Sequence, residues 1–310
     1  MSSSAASPPS SSSYRSIFRA DLFAGQTVLI TGGGSGIGRC VAHELASLGA
    51  NLALFGRKAE KLASVQQELA NIGVKVSVHV CDIREEEAVI AGVQAVLQEH
   101  GRIDALVNNA GGQFPSALKD ISRKGWDAVL HTNLTGGFLM ARACLLQWMA
   151  ANGGAIVNIT ADNWGSMPGM GHSGAARAGM QSFTETAALE WAQYGVRVNA
   201  VAPGYVASSG MDNYPDAMLP VLRAAVQGVP LQRMGNEAEI SAAILFLLSP
   251  AASFITGTVL RVDGGRPQMR AGWHLPSQLT PEQAAHTPAA VAPFDGFGAA
   301  SAPRILRDAP

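Results

Sequence analysis

The sequence predicts a doubly wound α/β domain, a parallel sheet of seven strands with helices on both faces. Short β-branched or aliphatic runs recur along the chain, segments with helical spacing lie between them, and a glycine-rich turn joins the first run to the first helical segment. Strand and helix in strict alternation imply parallel strands joined by crossovers, with the helices covering the sheet. The strands fall at 27–31, 51–55, 74–80, 105–108, 155–160, 196–201 and 258–262. Among the helices, the clearest apolar spacing lies at 40–48, 86–99, 175–191 and 237–248. Ligands of such sheets bind beyond the carboxyl ends of the strands, where the strand order reverses.

Composition narrows the class. Of 310 residues 47% are apolar and 15% charged, and the net charge is -1. Lysines and arginines are scattered, without the basic stripe of a nucleic-acid binder. Cys40, Cys81 and Cys144 are too few and too unevenly spaced for a disulfide framework or a zinc site. They read as reduced thiols of a cytoplasmic protein. Apolar runs such as 242–248 are far short of the ~20 residues of a membrane span, and no signal pattern opens the chain. Residues 1–18, dominated by Ser, Ala and Pro, are expected to be disordered, because they bury too little surface to offset ordering entropy. Residues 19–266 form the nucleotide-binding body. Residues 267–310 are Ala- and Pro-rich but retain Trp273, Phe294 and Phe297, so this extension either stays disordered or wraps over a neighbouring subunit.

After the first strand the chain reads Thr31-Gly32-Gly33-Gly34-Ser35-Gly36-Ile37-Gly38 and enters a helix. Glycine lets backbone approach a pyrophosphate, and the helix N-terminus presents amides and the positive end of its dipole. A strand before and a helix after make this turn a Rossmann-type dinucleotide fingerprint. The second strand ends in Gly56-Arg57-Lys58, without the carboxylate that binds a ribose 2′-hydroxyl. Two cations there favour a 2′-phosphate and hence NADP(H), although they also suit the exposed start of a helix. Asp82, followed by Ile83, is placed to accept from the adenine amino group, or to cap a helix.

The motifs Thr31-Gly32-x-x-x-Gly36-x-Gly38, Asn108-Asn109-Ala110-Gly111, Asn133, Asn199-Ala200-Val201-Ala202-Pro203-Gly204 and Val262-Asp263-Gly264-Gly265 resemble the classical short-chain dehydrogenases/reductases over roughly residues 26–266. The resemblance implies a homotetramer. It also implies a central strand steadied by Asn108 to Gly111, and a nicotinamide pocket formed by Pro203, Gly204, Val206 and Ser208. Within that family, Gly111-Gly112-Gln113-Phe114, His172-Ser173-Gly174-Ala175-Ala176-Arg177 and the stretch 248–257 look like trans-2-enoyl-CoA reductases of the peroxisomal type and the related 2,4-dienoyl-CoA reductases. The chain ends Asp308-Ala309-Pro310, without the peroxisomal tripeptide.

Most of the family carries a Tyr and a Lys four residues apart on one helix face; here those positions hold Ser173 and Arg177. Thr160 stands for the usual catalytic Ser, and Asn133 for the water-holding Asn. A serine hydroxyl is far too weak an acid to replace an activated phenol. Arg177 keeps the charge but donates no proton at neutral pH. Carbonyl reduction, which must protonate an alkoxide, loses its acid. Reduction of an activated double bond needs only fixed donors for enolate charge on a thioester oxygen, plus a proton for the α carbon. Asp162 and His172 are candidates for that proton, with Tyr205 a further phenol near the pocket; Gln113, Phe114 and Ser173 are candidates for substrate contact. The expected activity is NADPH-dependent reduction of an acyl-thioester double bond. An alcohol or carbonyl oxidoreductase with another acid, and a catalytically inactive NADP-binding sensor or scaffold, are the alternatives.

Overall fold

The computed structural model describes residues 14, 18–209, 211, 219–268, 294, 296 and 297. The first half runs β1 (Thr27–Thr31), α1 (Gly36–Ser47), β2 (Asn51–Gly56), α2 (Ala59–Leu69), β3 (Val76–Val80), α3 (Glu86–His100) and β4 (Ala105–Asn108). Next come α4 (Arg123–Leu130), α5 (Gly136–Cys144) and the short α6 (Ala150–Asn152), joined through widened turns at His131–Thr135 and Leu145–Met149. The second half contains β5 (Gly154–Ile159), α7 (Gly171–Trp191), β6 (Val196–Pro203), β7 (Val206–Ala207), α8 (Leu219–Ala225), β8 (Gly235–Asn236), α9 (Glu237–Leu248) and β9 (Val259–Val262).

The seven strands are parallel in the order β3-β2-β1-β4-β5-β6-β9, and β7 and β8 form a separate two-residue pair. Chain order reverses beside β1, where Ile30 pairs with Leu54 on one side and Val107 on the other. The crevice is therefore between the ends of β1 and β4. All of β1 is buried, as a strand covered on both faces must be. One apolar layer joins α1, α2 and α9 to the sheet, and a second joins α3, α5 and α7 to its other face. At ~1.5–3 kcal/mol for each fully buried large aliphatic, these layers supply most of the folding drive.

Local signals set several boundaries. Asn236 and Glu239 form a reciprocal capping box that starts α9, and Gly101 ends α3 in the left-handed conformation. The helix read as 175–191 begins four residues earlier at Gly171, ahead of the site residues it carries. Cys40, Cys81 and Cys144 are unpaired and buried. Among the described residues no helix is long and apolar enough to cross a membrane, and no cluster of side chains suits a metal ion.

The terminal extensions meet over α1 and α9. Tyr14, inside the segment expected to lack order, is buried against Cys40 and Ala238 together with Phe294 and Phe297. Its ring lies edge-on to Phe297, with centroids 4.9 Å apart, while Asn236 Nδ2 donates to the Phe294 carbonyl at 2.7 Å. One aromatic in a Ser/Pro segment makes no periodic pattern, so composition gave no sign of this contact. Residues 1–13 and 15–17 and most of 269–310 lie outside the described residues.

Candidate active site

The rim formed by the first half of the sheet is held by side chain–backbone bonds. Thr31 Oγ1 accepts from the amides of Asn109 (3.0 Å) and Ala110 (2.9 Å) and donates to the Val107 carbonyl. Asn109 Nδ2 returns a bond to the Thr31 carbonyl at 3.0 Å. Gly32 sits at φ +68°, and a Cβ there would lie 2.9 Å from Asn109 Nδ2. A Cβ at Gly38 would be driven into the Gly32 carbonyl oxygen. The α1 N-terminus has no side-chain cap from Ser35 and no acidic residue in its first turn, which leaves its amides and dipole for an anion. These residues fit a dinucleotide.

At the far end of that rim Arg57 and Lys58 are exposed after β2. Asp82 is engaged by Arg84, whose Nε donates to Oδ1 at 2.8 Å. Hydrogen bonding from Arg84, aided by the positive field of Arg57, holds the Asp82 carboxyl below the usual range. Ile83 is buried and packs against Gly136. Sequence reading missed Arg84, which has no motif of its own and follows Asp82 by two residues.

Toward the middle of the crevice, Asn133 lies on the widened turn between α4 and α5, a distortion often found at functional sites. Its Nδ2 donates to the carbonyls of Gly112 (2.7 Å) and Val129 (2.8 Å), and its Oδ1 accepts from the Gly112 amide. Arg177 donates to the Ile159 carbonyl at 2.5 Å. A Cβ at Gly111 would lie 2.5 Å from Arg177 Nη2 and 2.7 Å from Asn133 Oδ1, so the three converge. Burial pushes the Arg177 guanidinium down to about 10, which still leaves it protonated at neutral pH. Thr160 is buried, and its hydroxyl donates to the Val201 carbonyl at 3.2 Å.

Two further clusters flank this centre. In one, the Ser173 hydroxyl donates to Gln113 Oε1 at 2.6 Å. His172 Nδ1 accepts from the Ser173 amide at 2.9 Å, which places the proton of a neutral ring on Nε2. Nε2 is buried without a partner among the described residues, and Phe114 packs edge-on against the ring at 4.5 Å. In the other, Asp162 Oδ2 accepts from Arg266 Nη1 at 2.8 Å, and the Arg266 guanidinium lies 4.9 Å from the centre of the Tyr205 ring. Arg266 also escaped the sequence reading, because it stands one residue beyond the last recognised motif. Pro203 ends β6, Gly204 packs against the Asp263 backbone, Val206 is buried, and Ser208 is half-buried at the edge of this cluster.

Residues 32–266 match the family model described as enoyl-(acyl carrier protein) reductase. The chain belongs to the short-chain dehydrogenase/reductase family. It is thus of a family of nicotinamide-dependent oxidoreductases. Curated relatives include a probable 2,4-dienoyl-CoA reductase of Bacillus subtilis, 36% identical over 78% of this chain and 96% of that one. A gluconate 5-dehydrogenase of Gluconobacter oxydans is 37% identical over 79% of this chain and 96% of its own. Among solved structures, a citronellol catabolism dehydrogenase of Pseudomonas aeruginosa is 57% identical, with a TM-score of 0.74, covering 82% of this chain and 99% of the other. Short-chain dehydrogenases/reductases this similar to the chain thus carry names with quite different substrates, and the site must decide between them.

Proposed function

We propose that this short-chain dehydrogenase/reductase uses NADPH to reduce the activated double bond of a trans-2-enoyl or dienoyl thioester, with coenzyme A the carrier. The observation that carries the reading is the pair at the acid position: Ser173 stands where a phenol normally does, and its proton is committed to Gln113. That pair offers hydrogen bonding of fixed direction without a group acidic enough to protonate an alkoxide. Enolate charge on a thioester oxygen needs no more than such donors.

The glycine turn and the α1 N-terminus would hold the diphosphate, Asp82 the adenine, and Arg57 the 2′-phosphate. Asn109 to Gly111, Pro203, Gly204, Val206 and Ser208 would frame the nicotinamide, and Arg177 its ribose. When bound, the cofactor supplies hydride to the β carbon. Asn133 keeps Gly112, and with it Gln113 and Phe114, at the substrate side, and Thr160 borders the reacting centre. Of the two candidates for the α-carbon proton, His172 has an Nε2–H with no partner among the described residues, whereas the Asp162 carboxylate is engaged by Arg266. A neutral His172 whose Nδ1 accepts from the Ser173 amide can lend a hydrogen bond from Nε2 but cannot regain a proton it gave up. The α-carbon proton is therefore assigned to water oriented by that Nε2–H, the hydroxide leaving to solvent, and Asp162 is assigned the task of fixing Arg266 and Tyr205.

The resemblance to the short-chain dehydrogenases/reductases supports a homotetramer, in which exposed side chains such as Leu146 and Leu189 would be candidates for burial. The three unpaired cysteines support a cytoplasmic location.

A second reading is favoured by the 57% identity to the citronellol catabolism dehydrogenase: oxidation of an acyclic terpenoid alcohol, with a group other than Ser173 as the base. One screen separates the two. NADPH consumption is followed with crotonyl-CoA, longer enoyl-CoAs and carbonyl compounds, and NADP+ reduction with citronellol. The proposal expects turnover on enoyl-CoAs at least 10²-fold above the rest. Preference for the alcohol or a carbonyl would overturn it.

A further inference from the structure

The mouth of the glycine turn already faces a negative charge. Gly36 is the first residue of α1, and on its open side a Cβ would lie 3.7 Å from Glu237 Oε1 and 3.8 Å from Ser209 Oγ. The same Glu237 oxygen accepts from the Ser209 amide at 3.1 Å. One turn further along α1, burial pushes the Cys40 thiol up to about 12, and the Glu237 carboxylate adds to the effect. Glu237 thus lies over the first turn of α1, between the glycine turn and the segment following the Pro203-Gly204 pair.

Helix capping does not account for this placement. In α9 the capping-box role belongs to Glu239, which accepts from the Asn236 amide and pairs with Arg233. Glu237 also satisfies the dipole of α9, but that needs no contact with Ser209 and no approach to Gly36. Here a carboxylate reaches across to the N-terminus of a different helix, where backbone amides and dipole attract an anion.

We propose that Glu237 is an internal stand-in for the dinucleotide diphosphate. It lies beside the positive end of α1 without bonding its amides, accepts from the Ser209 amide, and an entering diphosphate must displace it. Displacement frees the Ser209 N–H, beside the turn, as a further donor to the anion. The exchange of one anion for another lowers net affinity. This rests on the dinucleotide reading of the crevice and is independent of which substrate is reduced.

The test is equilibrium binding of NADPH, NADH and adenosine to the full chain and to Glu237→Gln, at low and at high ionic strength. The amide keeps an acceptor for Ser209 and removes the charge; melting curves check that both proteins are folded. Glu190→Gln, at the exposed end of α7, controls for net charge. Two like charges a few ångströms apart at a partly wet surface differ from a neutral pair by on the order of 10-fold in affinity. Glu237→Gln should therefore bind both dinucleotides about 10-fold tighter at low salt, with a smaller gain at high salt, and adenosine and Glu190→Gln should show no change. Unchanged or weaker dinucleotide binding, or an equal gain for adenosine, overturns the proposal. Failure of both folded proteins to bind any dinucleotide would overturn the crevice reading and this inference with it.

Discussion

Along the first half of the sheet, Thr31, Asn109 and Asn133 spend their hydrogen bonds on backbone carbonyls and amides. Across the crevice, Ser173 is bonded to the Gln113 side chain and Asp162 to that of Arg266, while Glu237 reaches the Ser209 amide from another element. The two rims respond differently to a ligand. A side chain tied to the backbone of a neighbouring strand cannot exchange partners without moving that strand, so the first rim is a fixed cradle. The Asp162–Arg266 pair can trade partners by rotating torsions, so that part of the second rim can rearrange around what it binds, whereas Ser173, buried on α7, keeps its bond to Gln113. Asp82, paired with Arg84, is the exception on the first rim, at its outermost end.

Breaking the fixed rim should cost most. Gly38→Ala drives a methyl group into the Gly32 carbonyl, a backbone clash with nowhere to relax. We expect dinucleotide affinity to fall at least ~10²-fold, with ~1–3 kcal/mol of stability lost to overpacking, read by titration and thermal melting. Arg177→Ala should lower kcat/KM by about 10²-fold through misplacement of the cofactor, and Arg177→Lys should recover part of it by restoring charge without the planar fork. Arg57→Ala sharpens the comparison at the rim's outer end. Losing a charge-assisted bond of ~1.5–3 kcal/mol should raise the KM for NADPH roughly 10- to 100-fold and leave that for NADH nearly unchanged. Equal losses for both cofactors would remove the 2′-phosphate from Arg57.

The fixed rim was also the legible one. Thr31, Gly32, Gly38 and Asn109 act through backbone geometry, which demands particular residues at particular spacings and so leaves a pattern in the sequence. The seven strands were legible for the same reason, apart from end shifts such as β6, which runs on to Pro203. Arg84, Arg266 and Glu237 left no pattern, because each meets its partner through a long side chain whose reach spacing does not encode. The Asp162–Arg266 pair joins residues 104 apart in the chain. Tyr14 is the same case among apolar contacts: a single ring docks without periodicity.

That ring supplies a smaller test. Removing residues 1–13 should leave the melting temperature unchanged, whereas removing residues 1–17 takes Tyr14 from its contacts with Cys40 and Phe297. Burial of one aromatic stabilises by about 2 kcal/mol, so the longer deletion should lower the melting temperature by roughly 4 °C. Identical curves would mean the terminal contact contributes nothing to stability.

The smallest expected effect bears most directly on the chemistry. If Ser173 serves only to orient Gln113, Ser173→Ala removes one hydrogen bond, on the order of 1 kcal/mol or roughly five-fold in rate. Removing a general acid costs 10²-fold or more. The decisive measurement is kcat for enoyl-CoA reduction by Ser173→Ala, with NADPH affinity and melting temperature measured alongside. Within about five-fold of the native rate, the proton comes from elsewhere, as proposed here. A loss of 10²-fold or more, with cofactor affinity and fold intact, would put Ser173 into the proton transfer and contradict the account.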